Sequence, residues 1–230
     1  MAAATSIETE TVAPVIALAG ETLLPDPTGA LFWPATGTVI VADLHLEKGS
    51  SYGPQGITLP PYDTAATLVA LAAVLERCRP EQVICLGDSF HDGNAGERID
   101  PGDRNALTAL VAAHQWFWVA GNHDPHPPDL GGRVVDELTI GGLTFRHEAD
   151  RLAAAGEVSG HYHPKSGYRA RGRSVMGRCF VGDRARLILP AFGAYTGGLD
   201  VRDPAIARLF PGGYEVHLIA RGRVTRLPRV

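Results

Sequence analysis

The chain has 230 residues, which is enough for one substantial domain and short for two. Apolar residues make up 45% and charged residues 20%, as in ordinary globular proteins, and no apolar run approaches the length that spans a bilayer. The net charge of −4 gives no independent support for a nucleic-acid-binding protein. Composition therefore excludes a membrane-spanning protein, and the function must be inferred from the sequence motifs.

Residues 1–13 are acidic and lack the basic start and apolar middle of a signal peptide, so we expect a flexible N-terminal tail. No repeat or Gly/Ser linker divides the rest of the chain, and we expect one domain over 14–230. The three cysteines show no CxxC spacing. Reduced thiols in a cytoplasmic protein are the simpler interpretation.

Strand-like and helix-like stretches alternate in the first half of the chain. Short apolar stretches at 38–42, 81–86 and 115–120 predict buried strands. Apolar residues at helical spacing predict helices at 63–77 and 103–114. This order indicates an α/β core with short crossovers.

The second half predicts mainly strands separated by turn glycines. The predicted strands are 134–146, 157–160, 178–181, 186–189, 214–220 and 223–227. We therefore expect an α/β fold whose core is a two-sheet β-sandwich flanked by helices, a four-layer αββα arrangement.

Polar motifs follow the predicted strands, and three of them come directly after the first three strands. The motifs are DLH at 43–45, GDSFHD at 87–92, GNHD at 121–124, His147 and GHYH at 160–163. Because functional groups of α/β sheets gather beyond the carboxyl ends of the strands, we expect the first three loops to share one rim.

These residue types suit a pair of divalent cations. Such a pair needs a bridging carboxylate, further nitrogen and oxygen ligands, and open positions for the substrate. Asp88 is the natural bridge, because a carboxylate has two oxygens and Gly87 permits close approach. Asn122 offers a neutral oxygen, which limits excess negative charge where a phosphate docks.

Two further pairs of candidate ligands have a spacing of two residues. Asp43 and His45 form one pair, and His161 and His163 form the other, so the members of each pair can point to one side of an extended segment. Each motif alone is a weak signal, because Gly, Asn and Asp are common turn residues. Together they supply seven potential ligands, a set that suits Mn, Fe or Zn better than Ca.

This series of motifs resembles the signature of the calcineurin-like metallophosphoesterases over nearly the whole chain. The stretches ADLHLEKGSSYG, LPPYDTAATL, LGDSFHD and LILPAFGAYTGGLDV narrow the resemblance to the bacterial PdeM group. That group is described as ligase-associated DNA damage response endonucleases, encoded with a DNA ligase and a helicase. The resemblance implies the metallophosphoesterase fold, hydrolysis of phosphodiester bonds by a metal-activated hydroxide, Mn²⁺ as the metal in vitro, and a homodimer.

The resemblance also implies a role for each matching residue. One metal ion would be held by Asp43, His45, Asp88 and His163, and the other by Asp88, Asn122, His147 and His161. His123 would face the substrate as the general acid, and Asp124 would fix its orientation. His91 would lie near the phosphate, as in double-strand-break repair nucleases of this fold; the alternative is a loop histidine that bonds Asp92.

A basic segment comes after the last pair of candidate ligands. Residues 165–186 hold seven basic residues and one acidic residue, and Lys165, Arg169, Arg171 and Arg173 are the candidate contacts to DNA phosphates. The alternative is a set of arginines scattered over a solvated sheet. Two other functions stay open: hydrolysis of small nucleotides by the same chemistry, and a non-catalytic scaffold of the same fold.

Overall fold

The structure is a computed structural model that describes residues 14–53, 62–170 and 173–229. The predicted tail at 1–13 lies outside these ranges, and the single domain over 14–230 stays a prediction. None of the helices in the described ranges has the length and apolar content needed to cross a bilayer.

Strands dominate the described residues. In chain order they are β1 (Ile16–Leu18), β2 (Glu21–Pro25), β3 (Leu31–Trp33), β4 (Thr38–Val41), β5 (Gln82–Leu86), β6 (Gln115–Val119), β7 (Arg133–Val135), β8 (Glu137–Ile140), β9 (Leu143–Arg146), β10 (Glu157–Ser159), β11 (Lys165–Ala170), β12 (Arg173–Gly182), β13 (Arg186–Ile188), β14 (Glu215–Ala220) and β15 (Arg223–Arg226). The helices are α1 (Lys48–Ser51), α2 (Asp63–Cys78), α3 (Ala95–Arg98), α4 (Pro101–Ala112) and α5 (Pro204–Ala207). A 3₁₀ turn occupies Pro34–Thr36.

The first sheet has seven strands in the order β1-β2-β3-β4-β5-β6-β7. Strands β4 to β7 pair in parallel, whereas β1, β2 and β3 add antiparallel strands on one side. The strands predicted at 38–42, 81–86 and 115–120 are confirmed as β4, β5 and β6. The helices predicted at 63–77 and 103–114 are confirmed as α2 and α4, with ends moved by one or two residues.

The sequence pattern predicts no element before residue 38, whereas the structure has three strands there. Each has only three to five residues, which is too short for a clear alternating pattern. The turn between β1 and β2 has Ala19 and Gly20 at φ 48° and 89°. This positive-φ turn joins the strands without the Asn-Gly or Asp-Gly pair that signals a hairpin in sequence.

The second sheet has the order β15-β14-β12-β13-β10-β9-β8, with β11 paired to β12. Strands β9, β10 and β13 are parallel to one another, and the remaining pairs are antiparallel. Two sheets and their outer layers are therefore present, as predicted. The single strand predicted at 134–146 is wrong in detail, because the structure divides this stretch into β7 of the first sheet and β8 and β9 of the second.

Both faces of the central strands of the first sheet are buried, because helices cover one face and the second sheet covers the other. Val39 and Val41 of β4 pack with Leu71 of α2 in the outer core. Ile40, between them, packs with Phe145 of the second sheet in the core between the two sheets. This sandwich holds the two sheets at a fixed separation.

The outer face of the second sheet carries a thin fourth layer. The cluster there includes Ile206 of α5 and the loop residues Leu209 and Phe210. Pro204 begins α5 and Pro211 comes shortly after it, so the helix stays four residues long. In the described residues, the long helices thus lie on the first sheet only.

One edge of the sandwich collects the ends of parallel strands from both sheets. Strands β4, β5 and β6 end there, and so do β9, β10 and β13 of the second sheet, as the hydrogen bonds between the adjoining loops show. Asp43 N donates to Gly87 O at 3.3 Å, and Gly160 N donates to His147 O at 2.9 Å. Phe192 N, after β13, donates to Ala42 O at 2.8 Å and ties the two sheets together. This edge is called the rim below.

Candidate metal centre

The rim brings all seven predicted ligands into one cluster. Two sets of residues each have ligand atoms within 4.8 Å of one another. The first ligand group is Asp43, His45 and His163, and the second ligand group is Asp88, His147 and His161. These sets agree with the grouping that the resemblance implies. That they bind metal stays a prediction, which the geometry supports.

The first ligand group faces a common centre. His45 Nε2 lies 3.3 Å from His163 Nε2, and His163 Nε2 lies 3.4 Å from Asp43 Oδ1. Asp43 is fully buried, and its two carboxylate oxygens accept from the backbone N of His161 at 3.1 and 3.0 Å. The carboxylate is therefore held firmly while its Oδ1 stays directed at His163.

The second ligand group includes the amide oxygen of Asn122. That oxygen lies 2.9 Å from His147 Nε2 and 3.0 Å from His161 Nδ1. The two ring nitrogens are 3.1 Å apart. Three polar atoms thus meet at nearly equal distances, an arrangement that a cation between their lone pairs would satisfy.

Asp88 belongs to the second ligand group and also faces the first. Its Oδ2 is 3.9 Å from His45 Nε2 and 3.4 Å from His147 Nε2, so one oxygen faces a histidine of each group. Its Oδ1 accepts from the backbone N of His123 at 2.9 Å. This geometry suits the bridging role predicted for Asp88.

The tautomer of His147 tests whether the residues fit a metal. His147 Nδ1 lies 2.9 Å from the carbonyl oxygen of Leu86, which can only accept, so Nδ1 carries a proton. In the neutral ring, Nε2 then directs a lone pair at Asp88 Oδ2 and Asn122 Oδ1. Lone pairs facing oxygens are stable with a cation between them, and a backbone acceptor behind a ligand histidine is the usual outer-shell arrangement. The residues fit a divalent cation.

Backbone strain is concentrated in this cluster. The candidate ligands with positive φ are Asp43 (53°), His45 (44°), Asp88 (47°), His161 (71°) and His163 (47°). The left-handed region costs a residue with a side chain roughly 1–2 kcal/mol. Such strain persists where the surrounding structure enforces it, and it is typical of functional sites.

The glycines of the motifs have a steric reason. A Cβ at Gly87 would lie 2.5 Å from His147 Nδ1, and one at Gly121 would lie 2.2 Å from Asp88 N. A Cβ at Gly160 would lie 2.7 Å from Asp43 Oδ2. The sequence predicts close approach at Gly87; the equivalent role of the other two is visible only in the structure.

The two groups differ in their proton affinity. Burial lowers the pKa of His147, but its hydrogen bond to Asp88 and the nearby carboxylates outweigh burial and raise the pKa to about 9. Burial raises the pKa of Asp88, but its contact with His147 outweighs burial and lowers the pKa to about 2. In the first group, burial and the charge of His163 lower the pKa of His45 to about 3.

His123 is exposed, and His91 holds its ring. His123 Nδ1 donates to the main-chain oxygen of His91 at 2.8 Å, and the two rings stack with centroids 5.2 Å apart. The resemblance predicts that Asp124 orients His123, but Asp124 Oδ2 accepts from Phe90 N at 3.0 Å and its Oδ1 has no hydrogen bond in the described residues. The orienting group in the structure is therefore the carbonyl of His91. Burial raises the pKa of Asp124 to about 6.

The side chain of His91 faces the metal centre. Its Nδ1 lies 3.5 Å from Nδ1 of His45, while Asp92 pairs with Arg98 at 2.7 Å. The alternative of a loop histidine bonded to Asp92 is therefore not what the structure has. His91, His45 and His123 form a third set of ring nitrogens within 4.8 Å of one another, which the motif spacing does not predict.

The basic segment is a β-hairpin of β11 and β12 that begins two residues after His163. Lys165 is half-buried and lines a cavity together with His163, whereas Arg169 is exposed on the same strand. Arg171 lies outside the described residues. Arg173 pairs with Ala170 through the backbone at the start of β12. Of these four residues, Lys165 is the one that lines a cavity together with a candidate ligand among the described residues.

The chain is similar to a known protein family and to solved structures. Residues 38–178 match the family model described as calcineurin-like phosphoesterase. The crystal structure of the Pseudomonas putida nuclease MPE has 27% sequence identity and a TM-score of 0.72, over 93% of this chain and 99% of the nuclease chain. A phosphoesterase from E. coli, Yfce, has 12% identity and a TM-score of 0.40, over 84% of this chain and 97% of its own. No curated protein matches the sequence.

Proposed function

The chain belongs to the calcineurin-like phosphoesterase family, and from that premise we propose that it is a metal-dependent nuclease that hydrolyses phosphodiester bonds in DNA. The observation that carries the proposal is the pair of ligand groups with Asp88 between them. Phosphatases and nucleases use a pair of cations about 3.5–4 Å apart, and these ligands would hold such a pair.

Two divalent cations, with Mn²⁺ as the proposed species, would be held by the seven ligands. Asp43, His45, Asp88 and His163 would hold one, and Asp88, Asn122, His147 and His161 would hold the other. When bound, they supply Lewis-acid activation of water and neutralise charge on the phosphate. The imidazole, carboxylate and amide donors suit Mn, Fe or Zn.

His123 is proposed to supply the proton that the leaving oxygen takes up. Because Nδ1 donates to the carbonyl of His91, the second proton of a protonated His123 would be at Nε2, the atom that would give it to the leaving oxygen. The exposure of His123 leaves that atom accessible to substrate. The buried carboxylate of Asp124 anchors the loop through Phe90 N rather than touching the ring.

Two features support nucleic acid over a small phosphoester. The Pseudomonas putida protein whose structure matches 93% of this chain is a nuclease. The hairpin of β11 and β12 adds positive charge beside His163. Action in the DNA damage response beside a DNA ligase and a helicase, a cytoplasmic location and a homodimer are the finer parts of the proposal, and they rest on the resemblance of the sequence motifs.

The test combines metal content with a panel of substrates. Purified protein is loaded with Mn²⁺, its metal is quantified, and hydrolysis of bis-4-nitrophenyl phosphate, a 2′,3′-cyclic nucleotide, and single- and double-stranded DNA is compared. The proposal expects two Mn²⁺ per chain and cleavage of DNA that stops with a chelator. Cleavage of the small substrates alone would favour a nucleotide phosphodiesterase. Metal binding without any hydrolysis would favour a scaffold.

A further inference from the structure

A cavity of about 510 Å³ opens beside the first ligand group. His163 lines it, so the cavity reaches the metal centre. The other walls come from α2, from the hairpin of β11 and β12, and from the segment 191–197 that comes after β13. His123 is not among the described residues that line the cavity. The cavity therefore suits the part of a substrate that is retained and not the leaving group.

The charged residues that line the cavity are all cationic or histidine. Lys165 and Arg178 are present, and the described lining holds no Asp or Glu. In the described residues neither cation forms an ion pair. A concave surface with unpaired positive charge attracts anions.

Hydrogen bonds hold Arg178 in place, and the stem of Lys165 lies beside a glycine. Arg178 Nη1 donates to the carbonyl oxygens of Ala191 and Phe192 at 2.8 and 3.1 Å, which fixes the guanidinium against the cavity wall. The stem of Lys165 lies over Gly198, where a Cβ would come within 2.9 Å of Lys165 Cε and 3.0 Å of Cγ. The nearest atom to such a Cβ is the carbonyl oxygen of His163, at 2.2 Å, so the backbone also requires glycine here.

The remaining lining offers apolar surface. Met176, which is 63% exposed, lies among the lining residues with Phe192 and Ala70. A flexible thioether and small apolar groups can adapt to a sugar or base without a fixed hydrogen-bond pattern. Cations beside adaptable apolar surface match a nucleotide, which carries both a phosphate and a nucleoside.

We propose that this cavity is a second phosphate subsite, in which Lys165 and Arg178 bind the phosphate next to the scissile one and the apolar lining receives its nucleoside. The site would thereby select polynucleotides over substrates with a single phosphate. This inference rests on the proposed function, because the scissile phosphate must lie at the metal centre.

The experiment uses two pairs of chromogenic substrates that differ by one phosphate. Thymidine 5′-(4-nitrophenyl phosphate) is compared with its 3′-phosphorylated form, and thymidine 3′-(4-nitrophenyl phosphate) with its 5′-phosphorylated form. In at least one pair, the extra phosphate is expected to raise kcat/KM of the Mn²⁺-loaded protein on the order of tenfold, the effect of one or two hydrogen bonds to a charged group. Lys165→Gln should lower this ratio clearly, because only Arg178 then remains, whereas Lys165→Arg should keep most of it.

Arg202→Gln is the matched control, because Arg202 is an exposed cation paired with Asp200 and lies outside the cavity. It should keep the wild-type ratio. A wild-type ratio near one in both pairs, or a ratio that Lys165→Gln leaves unchanged, would overturn the subsite.

Failure of the proposed function gives a different result, because wild-type protein would then hydrolyse none of the four esters. The subsite is in that case judged by calorimetry with thymidine 3′,5′-bisphosphate and thymidine 5′-monophosphate. Tighter binding of the bisphosphate that is lost in Lys165→Gln supports the subsite, and equal affinities overturn it.

Discussion

The two ligand groups of the rim have similar residues but opposite proton chemistry. In the first group, burial keeps the pKa of His45 at about 3, so its ring is neutral over the whole physiological range. In the second group, the carboxylates outweigh burial and raise the pKa of His147 to about 9, so a proton sits between His147 and Asp88 when no metal is bound. The first group is thus ready to bind a cation, whereas the second must release a proton to do so.

The largest effect should come from removing what the two groups share. Asp88→Ala deletes the carboxylate oxygen that faces both His45 and His147. We expect the protein to lose both metal ions and its activity to fall by more than about 100-fold, which exceeds the usual effect of removing an outer-shell partner of a metal ligand. Metal content and Mn²⁺-dependent hydrolysis are measured together. Asp92→Asn is the control, since Asp92 pairs with Arg98. An Asp88→Ala protein that is active without metal would rule out a shared bridge between two ligand groups.

His123→Ala should separate catalysis from metal binding. Both groups keep their ligands, so the metal content should stay at the wild-type value while DNA cleavage falls by about 10²–10⁴-fold. The loss should be smaller with 4-nitrophenyl esters, because 4-nitrophenolate leaves without a proton. An unchanged rate on DNA with full metal content would exclude His123 as the acid.

The protonation of His147 should make metal affinity of the second group depend on pH. Below about pH 9, each metal ion that enters the second group displaces a proton from His147, so its affinity should fall by up to tenfold per pH unit. The first group should be nearly independent of His45 between pH 6 and 9. Calorimetric titration with Mn²⁺ at several pH values measures both affinities, and His147→Gln should remove the pH dependence that His147 gives to the second group. Two sites with the same pH slope would contradict the comparison.

The smallest expected effect is on the stability of the chelated protein. The pKa of His147 is higher in the folded protein than its ordinary value of 6.5, so its contribution is fully present below pH 6.5 and is lost as pH rises through about 9. His45 has the opposite sign: its lowered pKa makes its contribution to stability most favourable above pH 6.5, and stability is lost as pH falls toward 3.

The chelated protein should therefore be most stable near pH 6.5. Thermal unfolding with a chelator should show a Tm that falls by a few degrees between pH 6.5 and 9, on the scale of about 1 kcal/mol or more. His147→Gln should remove this decline and leave the acid side unchanged. A Tm that rises over the same interval in the wild-type protein would reverse the sign assigned to His147.

Much of the rim is predictable because it depends on where strands end. Asp43, Asp88 and Asn122 come directly after buried parallel strands, and strand order places such residues at one edge. His147 and His163 come after strands of the other sheet, and their assignment depends on resemblance to a family. The grouping of seven ligands into two sets is thus accessible from the sequence and that resemblance together.

The features that the sequence does not reveal depend on contacts between distant segments. The carbonyl of Leu86 that sets the tautomer of His147, and the carbonyl of His91 that holds His123, are backbone groups without a residue signature. Gly160 is required by the Asp43 carboxylate, which lies far away in the chain. The strands before residue 38 are too short for a pattern, and the place of Lys165 beside a cavity depends on the segment after β13 and on α2.

The most direct test of two ligand groups that share Asp88 is anomalous diffraction from crystals soaked in Mn²⁺. Two peaks about 3.5–4 Å apart are expected. Asp88 should lie between them, with Asp43, His45 and His163 on one ion and His147, His161 and Asn122 on the other. A single peak, or two peaks that do not share Asp88, would contradict the shared bridge.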